Sequence, residues 1–144
     1  MSIVARRYFE RGVKAVANGD LESAQESLRA AVDLAPGFGN ARVAYAVALA
    51  KAGDSPRAAQ VLRAGLPRAT STVSAAAMQA TLGDVLTLGG DFLGAEEAFR
   101  AAGAVAGFGA RAASGLARVY FKLGRTADAV AELKKAARIS SGKA

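Results

Sequence analysis

GDLESAQESLRAAVDLAP, residues 19–36, is the stretch on which the fold turns. Gly19 and Asp20 break the chain, and the Asp20 carboxylate can accept hydrogen bonds from the free N–H groups of a first helical turn. Ala24, Leu28 and Ala31 follow at spacings of four and three, which puts them on one helix face. Pro36 ends that helix, because proline lacks an N–H and disfavours helical geometry in the residue before it.

The same phrase returns three more times. Gly19, Gly53, Gly90 and Gly124 fall in register, with separations of 34, 37 and 34 residues. Five residues after each glycine stand Ala24, Ala58, Ala95 and Ala129. Nine after it stand Leu28, Leu62, Phe99 and Leu133, and twelve after it Ala31, Gly65, Ala102 and Ala136. Seven before it stand Gly12, Ala46, Gly83 and Ala117. Small residues let two helices approach closely, and the large apolar ones fill the space between neighbouring units.

Four A helices and four B helices follow from this register. A1 is expected from about Ile3 to Asn18 and B1 from Leu21 to Ala35. A2 is expected over Asn40 to Ala52, with B2 opening at a Ser55 cap followed by Pro56 and ending near Leu66-Pro67. PRATSTVSA, residues 67–75, holds the three extra residues and is read as a longer loop in which Ser71, Thr72 or Ser74 caps the next helix. A3 is expected over Ala75 to Leu88, B3 over Phe92 to Ala106 and A4 over Ala110 to Leu123. B4 is expected to start at a Thr126 cap and run to Ile139, with a frayed SSGKA tail. Val130, Leu133 and Ala137 make an apolar side of B4 that should pack mostly on A4.

This pattern resembles the tetratricopeptide repeat family, whose period is about 34 residues, over roughly residues 5 to 143. The resemblance implies an all-α, right-handed solenoid of four helix–turn–helix units, about eight helices, in a single domain over residues 1–144 with units near 5–38, 39–72, 76–109 and 110–143. The family's bulky residue before the small one is Tyr45, Leu82 and Leu116 in units two to four. Arg11 stands there in unit one and is expected to weaken its inner packing. The family's aromatic near the start of helix A survives as Tyr8, with Arg42, Gln79 and Ala113 in its place elsewhere.

The resemblance also implies a concave face lined by the A helices, where members hold peptide segments. The family's contact places, carried over residue by residue, give Arg6, Phe9 and Val13 in unit one, and Asn40, Val43, Val47 and Lys51 in unit two. They give Asp84 in unit three, with Ala80 and Thr87 at two more such places, and Arg111, Ser114, Arg118, Phe121 and Lys122 in unit four. The implied groove is apolar at its N-terminal half and basic at its C-terminal half. Phe9 is the preferred apolar contact, since aromatic residues anchor interfaces. Arg111, Arg118 and Lys122, spaced seven and four apart, share one helix face and suit an acidic segment or a terminal carboxylate. The lysine- and asparagine-based carboxylate clamp of chaperone-binding members is absent, because Phe9 and Val13 occupy its first two places.

Composition narrows the chemistry. The chain has 144 residues, 52% hydrophobic and only 6% aromatic, with a net charge of +7 and neither cysteine nor histidine. That removes disulfides, thiol nucleophiles and the commonest general base and metal ligand. No cofactor, metal or catalytic residue is expected. Glu96 and Glu97 are adjacent and so diverge on a helix, Asp84 has no acidic partner at helical spacing, and Gly103, Gly107 and Gly109 follow no strand, as a phosphate loop would require. Residues 1–38 sum to zero charge, 39–75 to +4, 76–109 to −3 and 110–144 to +6. The acidic third unit interrupts any phosphate track, so nucleic acid is disfavoured as a partner. MSIVARRYFERG carries no apolar leader core and no stretch reaches about 18 uninterrupted apolar residues, so a cytoplasmic chain is expected, with a bacterial source suggested by the weight of Ala, Gly and Arg. The expected role is a non-enzymatic interaction adaptor that holds a partner protein segment. The alternative is a scaffold subunit that self-associates or docks through the B4 end or the convex side.

Overall fold

Each repeat begins its B helix the same way. In the computed structural model, which describes residues 2–142, Gly19, Gly53, Gly90 and Gly124 have φ between +75° and +90°, the left-handed region that only glycine enters without strain. The residue after each donates its N–H back across the turn, from Asp20 to Ala15, Asp54 to Leu49, Asp91 to Leu86 and Arg125 to Tyr120, at 2.8–2.9 Å. In the first three turns that same residue, Asp20, Asp54 or Asp91, then caps the B helix with its carboxylate. Arg125 stands at the fourth turn and supplies no side-chain cap.

Eight α-helices result among the described residues: α1 (Ile3–Ala17), α2 (Leu21–Leu34), α3 (Gly39–Lys51), α4 (Ser55–Gly65), α5 (Thr72–Leu88), α6 (Phe92–Gly103), α7 (Gly109–Lys122) and α8 (Thr126–Ser140). They pair in sequence as α1 with α2, α3 with α4, α5 with α6 and α7 with α8, and each pair packs on the next through α2 on α3, α4 on α5 and α6 on α7. Successive A helices (α1, α3, α5, α7) also touch one another, whereas successive B helices do not. Closer spacing on the A side bends the stack into an all-α solenoid with the A helices on its inner face.

The seam between units is filled by the large apolar residue nine places after each turn glycine. Leu28, Leu62 and Phe99 have 0% exposure. Phe99, the largest of these, fits because glycine faces it twice. A Cβ on Gly83 of its own unit would sit 2.7 Å from the ring, and one on Gly115 of the next unit would also strike it. Where the filler is Leu62, the place of Gly83 holds Ala46 instead.

Several details depart from expectation. Asp54, not Ser55, caps α4, with Arg57 N–H 3.2 Å from its carboxylate, and Pro56 falls one place deeper. Both residues can cap, and the chain turns one residue earlier than the serine requires. Thr126 is the first residue of α8 rather than its cap. Residues 67–75 are less of a loop than expected: Leu66–Arg68 form a 3-10 turn, Ser71 caps α5, and the helix starts at Thr72, three residues early. The alanine run that follows favours this extension. α6 stops at Gly103 rather than Ala106. Ser140 belongs to α8 and Ser141–Gly142 form a turn, while the rest of the expected frayed tail, Lys143 and Ala144, lies outside the described residues.

Two substitutions of the family pattern have physical explanations. Arg11 does not weaken the inside of unit one, because it is exposed on the end face, with its guanidinium 5.3 Å from the Tyr8 ring, while Gly12 next to it admits Leu28. Arg42, which replaces an aromatic, is buried and ties three segments together. Its Nε donates to the Pro36 carbonyl at 2.8 Å and its Nη1 to the Val61 carbonyl at 3.0 Å. Burial, and secondarily the charge of Arg68, holds its pKa below the usual guanidinium value.

Candidate functional site on the concave face

The inner face is shaped by α5, the longest helix at 17 residues, with α3 on one side and α7 on the other. Asp84, four residues before its end, is the pivot. Its Oδ2 accepts a hydrogen bond from Arg111 Nη2 at 2.9 Å, and its Oδ1 one from Arg118 Nη1 at 3.2 Å. Both arginines lie on α7, two turns apart, so the helix spacing seen in the sequence does bring them to one point. Asp84 and Arg118 are separated by 34 residues, one repeat period, so they hold the same place on adjacent A helices. That signal was present in the sequence, but it appears only when carboxylates are sought across units as well as within a helix.

Two arginines meet one aspartate here, and Lys122, one turn beyond Arg118 on α7, adds a further exposed cation. All four side chains keep contact with solvent, so these ion pairs add little to stability. Each guanidinium has five N–H donors and spends one on Asp84, and both side chains are about half exposed. Ser114 and Phe121 on the same helix are exposed, the latter by 49%.

The N-terminal half is arranged differently. Phe9 is half-buried, with its ring centroid 4.8 Å from that of Phe38 at a tilt of 54°. Val43 is half-buried against the core, and Val47 is half-buried too. Val13 is the most exposed apolar candidate of this half, and Arg6, Asn40 and Lys51 are exposed. Ala80 and Thr87, at two of the family's contact places, are buried. The Thr87 hydroxyl donates to the Gly83 carbonyl at 2.7 Å, so at these two places unit three presents interior to its neighbours rather than surface to a partner. A hollow of about 580 Å³ opens at the rim, between the turn at Pro36–Phe38 and the start of α5 at Val73, and reaches Asn40 and Ala77. Its walls carry no charged residue.

Among the described residues, no group of three or more His, Cys, Asp or Glu is placed to hold a metal ion, and no helix is long and apolar enough to cross a membrane. The inner face offers exposed cations and exposed apolar side chains.

Comparison with known proteins gives the class. Tetratricopeptide repeat profiles match residues 15–82 and residues 81–144. The chain belongs to the tetratricopeptide repeat family, whose arrays serve as protein-interaction modules. Comparison with curated proteins returns no match. Among solved structures, a MamA protein superposes with a TM-score of 0.78 at 21% identity, over 99% of this chain and 76% of that one. The APC/C hetero-tetramer Cut9–Hcn1 gives 0.79 at 18% identity, over 95% of this chain but 26% of that one. An O-GlcNAc transferase mutant from Thermobaculum terrenum gives 0.69 at 20% identity, over 81% and 22%. At such identities the likeness is one of fold.

Proposed function

We propose that this chain is a non-catalytic adaptor whose concave face holds an acidic segment of a partner protein. Arg111, Arg118 and Lys122 seat its carboxylates, and Phe9, Val13, Val43 and Val47 meet its apolar residues. The observation that carries this is the convergence of Arg111 and Arg118 on the Asp84 carboxylate, which places two guanidinium forks where a carboxylate binds and leaves positive charge over. Asp84 acts as an internal stand-in, keeping the arginines extended until a partner carboxylate joins or displaces it. Asn40 and Lys51 flank the apolar half, and Arg6, Ser114 and Phe121 extend the contact at either end. The family's record as interaction modules and the membership of Cut9 in a multi-protein assembly support the general role.

The test is capture of partners from lysate, identified by mass spectrometry, with wild-type protein and two variants. Arg111→Ala, Arg118→Ala and Lys122→Ala together should abolish capture and leave the helical circular dichroism intact. Asp84→Asn should strengthen it, because the arginines lose their internal competitor. Capture that the triple variant leaves unchanged would show that the basic end takes no part. Capture should also weaken with salt over the range in which exposed charges are screened.

A further inference from the structure

One wall of the rim hollow comes from the three residues in excess of the repeat. Gly53 and Gly90 are 37 residues apart where the other turn glycines are 34 apart, and the chain uses the excess to start α5 early. α5 begins 18 residues before its turn glycine, against 16, 14 and 15 for α1, α3 and α7. The added turn stands opposite Pro36–Phe38 and brings up Val73, which is 59% exposed. Both walls are held. Arg42 Nε donates to the Pro36 carbonyl, and the Ser71 hydroxyl accepts the Ser74 N–H at 3.0 Å. Gly39 lets α3 meet Ser74 directly, since a Cβ there would strike the Ser74 hydroxyl. A hollow walled in this way is formed before any occupant arrives.

The lining is neutral. None of its eleven residues is charged in a chain that is 22% charged, and Pro36, Phe38, Val73 and Ala77 make much of it apolar. Four smaller hollows, of about 250–350 Å³, each carry charged residues in their walls. A charged group entering the rim hollow would lose water and meet no counter-charge, whereas an apolar side chain gains by covering Val73. The hollow also continues the concave site. Phe38 is the ring on which Phe9 packs, and Asn40 is one of the carried-over contact places. Ala77 lies seven residues before Asp84, on the same face of α5. From Ser74 and Ala77 to Asp84 is ten and seven residues of helix, about 10–15 Å at about 1.5 Å per residue. An extended segment covers that distance in about three to five residues.

We propose that the rim hollow seats a large apolar side chain, aromatic by preference, of the same partner segment whose carboxylate meets Arg111 and Arg118, with about three to five residues between the two. This rests on the concave face being the binding site, and it gives the partner a readable pattern: one acidic residue and one bulky uncharged residue at a fixed spacing. The basic cluster supplies attraction that salt weakens, and the hollow supplies a contact that salt leaves alone.

The probe is a library of random peptides displayed on phage and selected on the full chain. Selected sequences should pair Asp or Glu with Trp, Tyr, Phe or Leu at that spacing. In a labelled selected peptide followed by fluorescence anisotropy, replacing the apolar residue by alanine should weaken binding at least about tenfold at low and high salt alike. Replacing the acidic residue should weaken it in a salt-dependent way. Val73→Asp and, separately, Asn40→Asp in the protein should each weaken the wild-type peptide about tenfold and leave the alanine peptide nearly unaffected. Each adds a carboxylate to the first turn of a helix, where it is favourable, so the helical signal should be kept. If one variant loses that signal, the other carries the test. Acidic peptides with no apolar residue at a fixed spacing, or binding indifferent to both variants, would overturn this inference and leave the basic site standing. Apolar peptides without an acid would overturn the basic site and the pairing with it, and failure to select any peptide would overturn both. Amide signals of Gly39, Asn40 and Val73 that move with protein concentration alone would make a second copy the occupant, which also overturns the proposal.

Discussion

Phe99 and Leu133 hold the same place in neighbouring repeats and meet opposite fates. Phe99 is sealed between Gly83 and Gly115, whereas Leu133 is almost half exposed. The difference is not in the helices that carry them, since α6 and α8 each pack on their own A helix in the same manner. Among the described residues α7 packs on α6, and no later helix packs on α8. A large apolar residue at this register is fully buried where the next unit packs on it. The charged face of α1 completes the contrast: Arg7, Arg11 and Lys14 stand exposed at the places that hold buried residues in α3, α5 and α7.

The most damaging way to test the sealed side is to empty it. Phe99→Ala should cost about 3–5 kcal/mol in urea denaturation, since the ring is fully enclosed and its glycine neighbours cannot expand to fill the space. A loss under 1 kcal/mol would mean that the seam is not packed as described. Arg42→Ala comes next, at about 1–3 kcal/mol, because it strips the hydrogen bonds from the Pro36 and Val61 carbonyls inside the same stack. Gly83→Ala should also cost about 1–3 kcal/mol by overpacking against the Phe99 ring, and Phe99→Leu in the same chain should recover part of that loss.

The smallest expected effect is electrostatic, on α7. Burial, followed by the nearby Glu96 carboxylate, raises the Tyr120 phenol above its ordinary value. A raised folded pKa means that its contribution is fully present below the ordinary phenol pKa of about 10 and is lost as pH rises through the higher folded value. Thermal melts should therefore fall in that alkaline window, and Tyr120→Phe should make the fall shallower. An identical slope in the variant would remove Tyr120 from the explanation.

Much of the architecture was legible because the same constraint recurs. Four glycines that must adopt positive φ, and four large residues that must fill a seam, fix the register. Capping residues were less legible: Asp54 and Ser55 can each accept the same N–H, and only the path of the turn chooses between them. At the candidate site, helical spacing gathers Arg111 and Arg118, but it says nothing of Asp84, whose partners lie on the next unit's helix. Val130, Leu133 and Ala137 are exposed and do not pack on α7 as the sequence suggested; periodicity assigns a residue to a face without saying what lies opposite it. The same limit applies to Arg11, which is exposed beside Tyr8 rather than packed inside unit one.

The most direct test compares two leucines of the same register. Leu62→Ala and Leu133→Ala are measured by urea denaturation on the same day and in the same buffer. If the next unit seals Leu62 and Leu133 is packed only in part, Leu62→Ala costs about 2–5 kcal/mol and Leu133→Ala less than about 1 kcal/mol. Equal costs would contradict the difference in packing between the two leucines and, with it, the seam that seals Leu62.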